Sequence, residues 1–145
     1  MAYSDTGDVQ NAVGGSERLA ELTDWDEDED PDTSVITSII SEADAWIDSF
    51  LSKRYSVPIA SPVPRLIEAM SANESAFILK RNRSMVTEGD QIHHEERAKM
   101  LEDIATGRVT LGVFDQPAKS SLVVDKAFVR PSTLAISREK LKGFA

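Results

Sequence analysis

The chain contains no cysteine. Disulfides, thiolate metal sites and a cysteine nucleophile are therefore excluded, and stability has to come from packing and from partners. Long apolar runs are also missing, since no stretch approaches the roughly 20 residues that span a bilayer. Residues 1–10 lack the basic-then-apolar order of a signal peptide. We therefore expect a protein that is made in the cytoplasm, stays there until it is used and does not enter a membrane.

Catalytic motifs are absent as well. The patterns G-x-S-x-G, G-x-G-x-x-G, H-E-x-x-H and C-x-x-C and the P-loop do not occur. The two histidines, His93 and His94, precede Glu95 and Glu96 in a predicted helix, and no second helix repeats a Glu-x-x-His motif beside them. We interpret both histidines as exposed, and we expect no enzymatic activity, no cofactor and no metal centre. A metal-dependent enzyme that uses one of these histidines is the weaker alternative.

What the chain has in excess is negative charge. Its 25 acidic and 16 basic residues give a net charge of −9, which argues against a general nucleic-acid binder because affinity for DNA comes chiefly from basic side chains. The charge is also polarised along the chain. Residues 1–32 carry eleven acidic residues and one basic, residues 33–112 eleven and nine, and residues 113–145 three and six. The chain therefore runs from a strongly acidic N-terminal part to a basic C-terminal part.

The acidic residues are densest between residues 23 and 32. Four aspartates alternate there as in a calcium loop, but Glu29 stands at the sixth position instead of glycine and Val35 at the twelfth instead of glutamate. A calcium site is therefore not expected. We interpret the segment as an acidic surface that faces something it must not bind, and a solvated loop with Trp25 packed against the domain is the alternative. The carboxylates of this surface are Asp24, Asp26, Glu27, Asp28, Glu29 and Asp30.

Apolar residues recur at helical spacing in three long segments. The first begins at Asp32, Thr33 or Ser34 and ends near Lys53 and Arg54, the second runs from about residue 64 to 80, and the third from about 90 to 106 with Asp90 as its cap. Short helices are expected before them, over residues 3–13 and from the cap Ser16 to residue 22. The predicted core comprises Ile36, Ile39, Ile40, Trp46, Ile47, Phe50, Leu66, Met70, Phe77, Leu101 and Ile104.

Polar positions on these helices are predicted to face water, among them Asn73, Glu74 and Arg65 on the second. Ala69 is assigned to the buried side of that helix and Ile92 to the apolar stripe of the third. The second helix ends in a basic run, residues 80–83. We interpret this run as complementing the helix dipole, and a contact with a partner or with DNA phosphates is the alternative.

Beyond residue 108 the helical period stops. Short β-rich pieces, at 109–114 and 122–129, alternate with serine, proline and lysine, and a basic segment with spaced apolar residues is typical of one that orders on a partner. A disordered tail is the alternative. We therefore predict a mainly α fold, with a helical domain over residues 1–112 and an extended C-terminal arm with short β segments over 113–145. The residues of the arm predicted to bind a partner are Phe128, Val129, Arg138, Leu141 and Phe144.

Several short motifs, taken in order, resemble one known family. They are L-T-D at 22–24, F-L-S-K-R-Y-S-V-P-I at 50–59, the proline-led second helix, I-A-T-G-R-V-T-L-G at 104–112 and S-R-E-K-L-K-G-F at 137–144. Together they resemble the Mu-like gp36 group of phage head–tail connector, or adaptor, proteins, and the likeness covers most of the chain.

This resemblance implies a virion protein of the phage neck. It implies a ring, typically a dodecamer, that lies beneath the portal protein, extends the DNA channel and offers a platform to the next neck or tail protein, a stopper or a tail terminator. DNA would pass through the ring without specific binding, and the C-terminal arm would hold the portal or a neighbouring subunit. The competing interpretation is an acidic DNA mimic or another small regulatory binding protein.

Overall fold

The computed structural model describes residues 1–25 and 27–112, and this part of the chain is helical without any strand. Five α-helices follow one another: α1 (Thr6–Val13), α2 (Ser16–Thr23), α3 (Thr33–Leu51), α4 (Arg65–Asn82) and α5 (Glu88–Ala105). The predicted mainly α fold is confirmed for these residues. The predicted C-terminal arm and its β segments lie outside the described residues.

The longest helix, α3, forms where the periodicity predicts it. Asp32 is its N-cap, and the Asp32 carboxylate accepts hydrogen bonds from the backbone N–H groups of Ser34 (2.9 Å) and Val35 (3.3 Å). These contacts lower the pKa of Asp32, the hydrogen bond from the Ser34 side chain most of all. Buried residues then recur every three or four positions: Ile36, Ile39, Ile40, Ala43, Asp44, Ile47 and Leu51.

The core consists of two clusters, one at each end of the α3–α4 hairpin. The first half of α3 and the last part of α4 meet α1 and α2 in one cluster, whereas the second half of α3 and the start of α4 meet the last turns of α5 in the other. Tyr55 and Ile59, in the connection between α3 and α4, are buried in the second cluster. Because α3 and α4 contribute to both clusters, their hairpin joins the short N-terminal helices to α5.

The N-terminal segment is attached to this hairpin through polar groups. The backbone N–H of Tyr3 donates to one carboxylate oxygen of Asp44 (2.9 Å), and the Ser71 hydroxyl donates to the other (2.6 Å). The buried Tyr3 hydroxyl donates to Asp48 and accepts from the backbone N–H of Ile59 (2.8 Å). Burial raises the pKa of both Tyr3 and Asp44. With the Ser4 hydroxyl 2.8 Å from that of Ser71, the segment is tied to α3, to α4 and to their connection.

Some helix starts differ from the sequence-based expectation. Gly15, not Ser16, is the N-cap of α2. Helix α5 begins earlier than expected because Thr87 is its N-cap, and Asp90 is the third helical residue that completes a capping box with Thr87. Ser16 and Asp90 are both suitable caps by residue type, but the cap position is taken by Gly15 in α2 and by Thr87 in α5.

Burial corrects the sequence-based core at several positions. Leu66, predicted as core, is 41% exposed, and Ala69 is exposed on the same side of α4. Ile92, predicted in the apolar stripe of α5, is 49% exposed. Glu74, predicted to face water, is only 2% exposed, whereas Asn73 and Arg65 are exposed as expected. Trp46 and Phe50 pack partly buried against the second cluster, and the other predicted core residues are buried: Ile36, Ile39, Ile40, Ile47, Met70, Phe77, Leu101 and Ile104.

We expect Ile47→Ala to lower the free energy of unfolding by about 2–5 kcal/mol. Ile47 is a fully buried residue of α3 in the second cluster, and removing its side chain leaves a cavity. Ile92→Ala, an identical change at a residue of the predicted stripe, should stay within about 0.5 kcal/mol. Urea denaturation followed by circular dichroism measures both. Equal losses in the two variants would contradict the burial described here.

Candidate interaction surfaces

The acidic loop between α2 and α3 is held in shape by its first carboxylate. Asp24 accepts hydrogen bonds from the backbone N–H groups of Glu27 (2.6 Å), Asp28 (3.2 Å) and Glu29 (3.0 Å). Glu27 and Glu29 have φ angles of +63° and +68°, a region that residues other than glycine adopt at some cost. The loop therefore has a defined backbone, and the side chains of residues 27–30 are exposed. The sixth predicted member of this surface, Asp26, lies outside the described residues.

Arg83, just beyond α4, fastens the loop to the bundle. Its guanidinium donates to the backbone carbonyl oxygens of Leu22 (3.1 Å) and Asp24, and it lies 4.2 Å from the ring centroid of Trp25. Trp25 is 59% exposed, so it stacks on the arginine and does not pack into the domain as one interpretation expected. Arg83 thus attaches the start of the acidic loop to the end of α4.

The other basic residues at the end of α4 also have partners within the chain. Lys80 is 2.7 Å from the carboxylate of Asp90 on α5, and Arg81 is 2.8 Å from that of Glu42 on α3. The basic run therefore joins neighbouring elements to α4, in addition to any effect on the helix dipole. The alternative interpretation, a contact with a partner or with DNA phosphates, stays a hypothesis.

We expect Arg83→Ala to lower the free energy of unfolding by about 1–2 kcal/mol, since it removes two hydrogen bonds to carbonyl groups and the contact with Trp25. It should also shift the backbone amide resonances of residues 27–29. Arg81→Ala is the matched control, because its exposed ion pair is worth about 0.5 kcal/mol or less. Unchanged loop resonances in Arg83→Ala would contradict the role given to Arg83.

A second feature is a polar cluster in the interface between α4 and α5. The buried Glu74 carboxylate lies 3.0 Å from His94 Nδ1 and accepts hydrogen bonds from Arg97 Nε (3.2 Å) and Nη2 (3.0 Å). The His94 ring stacks on Phe77 with 4.3 Å between centroids and lies 5.2 Å from the ring of Trp46 on α3. A nearly buried carboxylate, a histidine and an arginine thereby link three helices.

The sequence missed this cluster for an identifiable reason. His94 was predicted to be exposed like His93, but only His93 is so, with Glu96 as its partner at 3.1 Å. Residues 74, 94 and 97 each looked like ordinary polar helix positions. Their pairing depends on how α4 and α5 face each other. Among the residues that the structure describes, no group of three or more histidines and acidic residues is arranged to hold a metal ion.

Beside this cluster an open groove runs between α4 and α5. Its volume is about 590 Å³, and it is lined by apolar side chains, including the exposed Leu66 and Met100, together with Phe77 and the paired charges of Lys80 and Arg97. The groove therefore combines exposed apolar surface with charges that already have partners, which is typical of an interaction surface.

Asp90, near the start of α5, pairs with Lys80 near the end of α4. The hydrogen bond from Lys80, followed by that from the Thr87 backbone N–H, lowers the pKa of Asp90 to about 2, below its ordinary value of 3.8. A carboxylate with a depressed pKa stabilises the fold at a pH above its ordinary value, and the contribution is lost as the pH falls through the folded pKa.

We therefore expect Asp90→Asn to be less stable than the wild type by up to roughly 2 kcal/mol above about pH 5, with the difference shrinking between about pH 4 and pH 2. Lys80→Met should show the same pH dependence, because it removes the cation that lowers the pKa. Urea denaturation at a series of pH values gives both curves. A difference that stays constant down to pH 2 would contradict this assignment.

The sites expected in the C-terminal arm stay a prediction. Phe128, Val129, Arg138, Leu141 and Phe144 lie outside the described residues. Within residues 1–25 and 27–112, no helix is both long and apolar enough to cross a membrane. What the structure presents is thus a small helical bundle with an acidic loop on its surface and a groove between its last two helices.

Comparison with known proteins gives this helical bundle its class. The family described as Bacteriophage Mu, Gp36 matches residues 3–125. The Mu-like prophage FluMu protein gp36 of Haemophilus influenzae is 29% identical over 84 residues, which cover 58% of this chain and 57% of that protein. Gene product J of Escherichia phage Mu is 30% identical over 117 residues, covering 81% of this chain and 80% of the relative.

The bundle is therefore a tailed-phage structural or assembly protein. More particularly, the chain belongs to the Mu Gp36 family, as the family match covers most of its length. The resemblance given by the short motifs in the sequence is confirmed.

Proposed function

We propose that this protein is a head–tail connector of the virion. In this role it forms a ring beneath the portal protein, extends the channel through which DNA leaves the head and offers an attachment platform for the next neck or tail protein. Membership of the Mu Gp36 family over residues 3–125 is the observation that carries the proposal. The role requires no catalysis and no cofactor.

The acidic loop supports this proposal on electrostatic grounds. DNA in transit should not adhere to the ring, and carboxylates at the channel or its rim repel phosphates. The exposed carboxylates of Glu27, Asp28, Glu29 and Asp30 stand on a backbone that Asp24 and Arg83 hold in place. Each subunit would then present the carboxylates that repel DNA at a defined place on its surface.

Ring assembly is proposed to use unlike patches of one subunit. Head-to-tail contacts between different patches close into rings when the rotation between subunits allows it. The net charges of residues 1–32 and 113–145 have opposite signs, so the basic arm of one subunit complements the acidic part of a neighbour or an acidic portal surface. Phe128, Val129, Leu141 and Phe144 would be the apolar anchors of the arm, and Arg138 its orienting charge.

The connector role implies three kinds of partner. They are the portal protein on one side of the ring, a stopper or tail terminator on the other, and further copies of the same chain, typically twelve to a ring. The protein would be made in the host cytoplasm and end in the neck of the virion. DNA would be a passing polymer and not a specific ligand.

Truncation after Gly112 should leave a folded bundle, because both core clusters lie within residues 1–112, and this bundle should no longer join heads. Circular dichroism verifies the fold, and electron microscopy of purified protein, alone and with portal, measures ring formation. The full-length double variant Leu141→Asp/Phe144→Asp should reproduce the defect without shortening the chain.

Truncated protein that still completes heads would reject the role of the arm. Full-length protein that forms no ring and adds no density below the portal would reject the connector itself. A tight complex with a DNA-binding protein that is indifferent to the truncation would instead favour the acidic DNA mimic.

A further inference from the structure

Helix α5 is attached to the bundle in two different ways along its length. Its last turns are apolar and buried, with Leu101, Ile104 and Ala105 in contact with the core. Its earlier part has no buried residue: Ile92 is 49% exposed and Met100 is 38% exposed. The same helix is therefore a core element at its C-terminal end and a surface element before it.

The earlier part is held mainly by polar contacts. Its contacts are to two residues of α4. His94 and Arg97 contact the carboxylate of Glu74, and Asp90 pairs with Lys80. The stacking of His94 on Phe77 adds an aromatic contact. A buried carboxylate with two such partners is strongly coupled to them, because removing either one leaves charge in a poorly solvated place.

Apolar packing does little to hold this part of α5 against α4. The groove of about 590 Å³ occupies the space in which side chains would interdigitate in a closely packed helix pair. Movement of the helix away from α4 would thus expose Phe77 and the face of Trp46 that the His94 ring covers. The polar cost of such movement is the separation of Glu74 from its two partners and of Lys80 from Asp90.

We propose that residues 88–100 form a movable segment that pivots about the buried turn at Leu101 and is latched by the Glu74–His94–Arg97 cluster. In the closed state, which the structure describes, the latch keeps the groove narrow and covers Phe77. Opening of the latch separates the segment from α4 while Leu101 and Ile104 remain in the core. This inference stands on the contacts of α4 and α5 and does not depend on the connector role.

Native-state hydrogen exchange of the full-length wild-type protein tests the pivot, because a helical segment of this length that has lost its tertiary contacts frays, and its amides then exchange. Amides of residues 92–100 should exchange through a local opening whose rate hardly changes at low urea concentration, whereas amides of residues 101–105 and of α3 should exchange through larger, urea-sensitive unfolding. Equal urea sensitivity on both sides of Leu101 would overturn the proposal.

The latch itself is tested by Glu74→Gln. This change removes the negative charge while retaining the shape, and it should accelerate exchange of residues 92–100 by about tenfold or more, with residues 101–105 unchanged. Glu96→Gln is the matched control, because Glu96 is an exposed carboxylate on the moving segment that pairs with His93, and it should leave exchange unaltered.

Acceleration in Glu74→Gln that extends equally to α3 and to residues 101–105 would mean general loss of stability and would overturn the latch, as would no acceleration at all. If this variant does not fold, Arg97→Met in an otherwise unchanged chain serves the same test, since it removes the guanidinium from the cluster and leaves the glutamate and the histidine in place. The same local acceleration is expected.

Discussion

The packing of α3 against α4 is the contact on which the rest of the bundle depends. Each of these helices contributes to both core clusters, so α1 and α2 at one end and the last turns of α5 at the other are attached to a common hairpin. The short N-terminal helices have too few buried residues to be stable alone. Because every other helix packs on this pair, loss of its buried isoleucines would affect both ends of the molecule.

Around this apolar hairpin, buried or half-buried polar groups determine where the peripheral segments lie. Asp44 binds the N-terminal segment, Glu74 binds α5, and Arg83 binds the acidic loop, each through hydrogen bonds. Each of them sits on or next to a long helix and contacts a more weakly packed segment. Such contacts are directional, since a carboxylate or guanidinium must meet its partners with good geometry. The position of the surface features is thus specified by a few polar contacts and not by additional core.

In this member of the Mu Gp36 family, the fold rests on the two apolar clusters, and the features on its surface are the ones held by polar contacts. The acidic loop is exposed but conformationally defined, because Asp24 and Arg83 hold it from two sides. The groove beside α5 leaves apolar surface accessible without opening either core cluster.

The sequence alone determined the class of fold, the three long helices, most of the core and the acidic surface, because apolar periodicity, caps and charge density are local properties. It also carried the family resemblance, through the order of several short motifs. Only the tertiary structure decided that Glu74 is buried, that Leu66 and Ile92 are exposed, and that Arg83 holds the acidic loop. Periodicity identifies the faces of a helix, but the width of each covered face depends on how closely the neighbouring helix packs. At the interface of α4 and α5, a carboxylate is buried beside an open groove. Some polar residues there are therefore buried and some apolar residues exposed, the opposite of what their residue types predict.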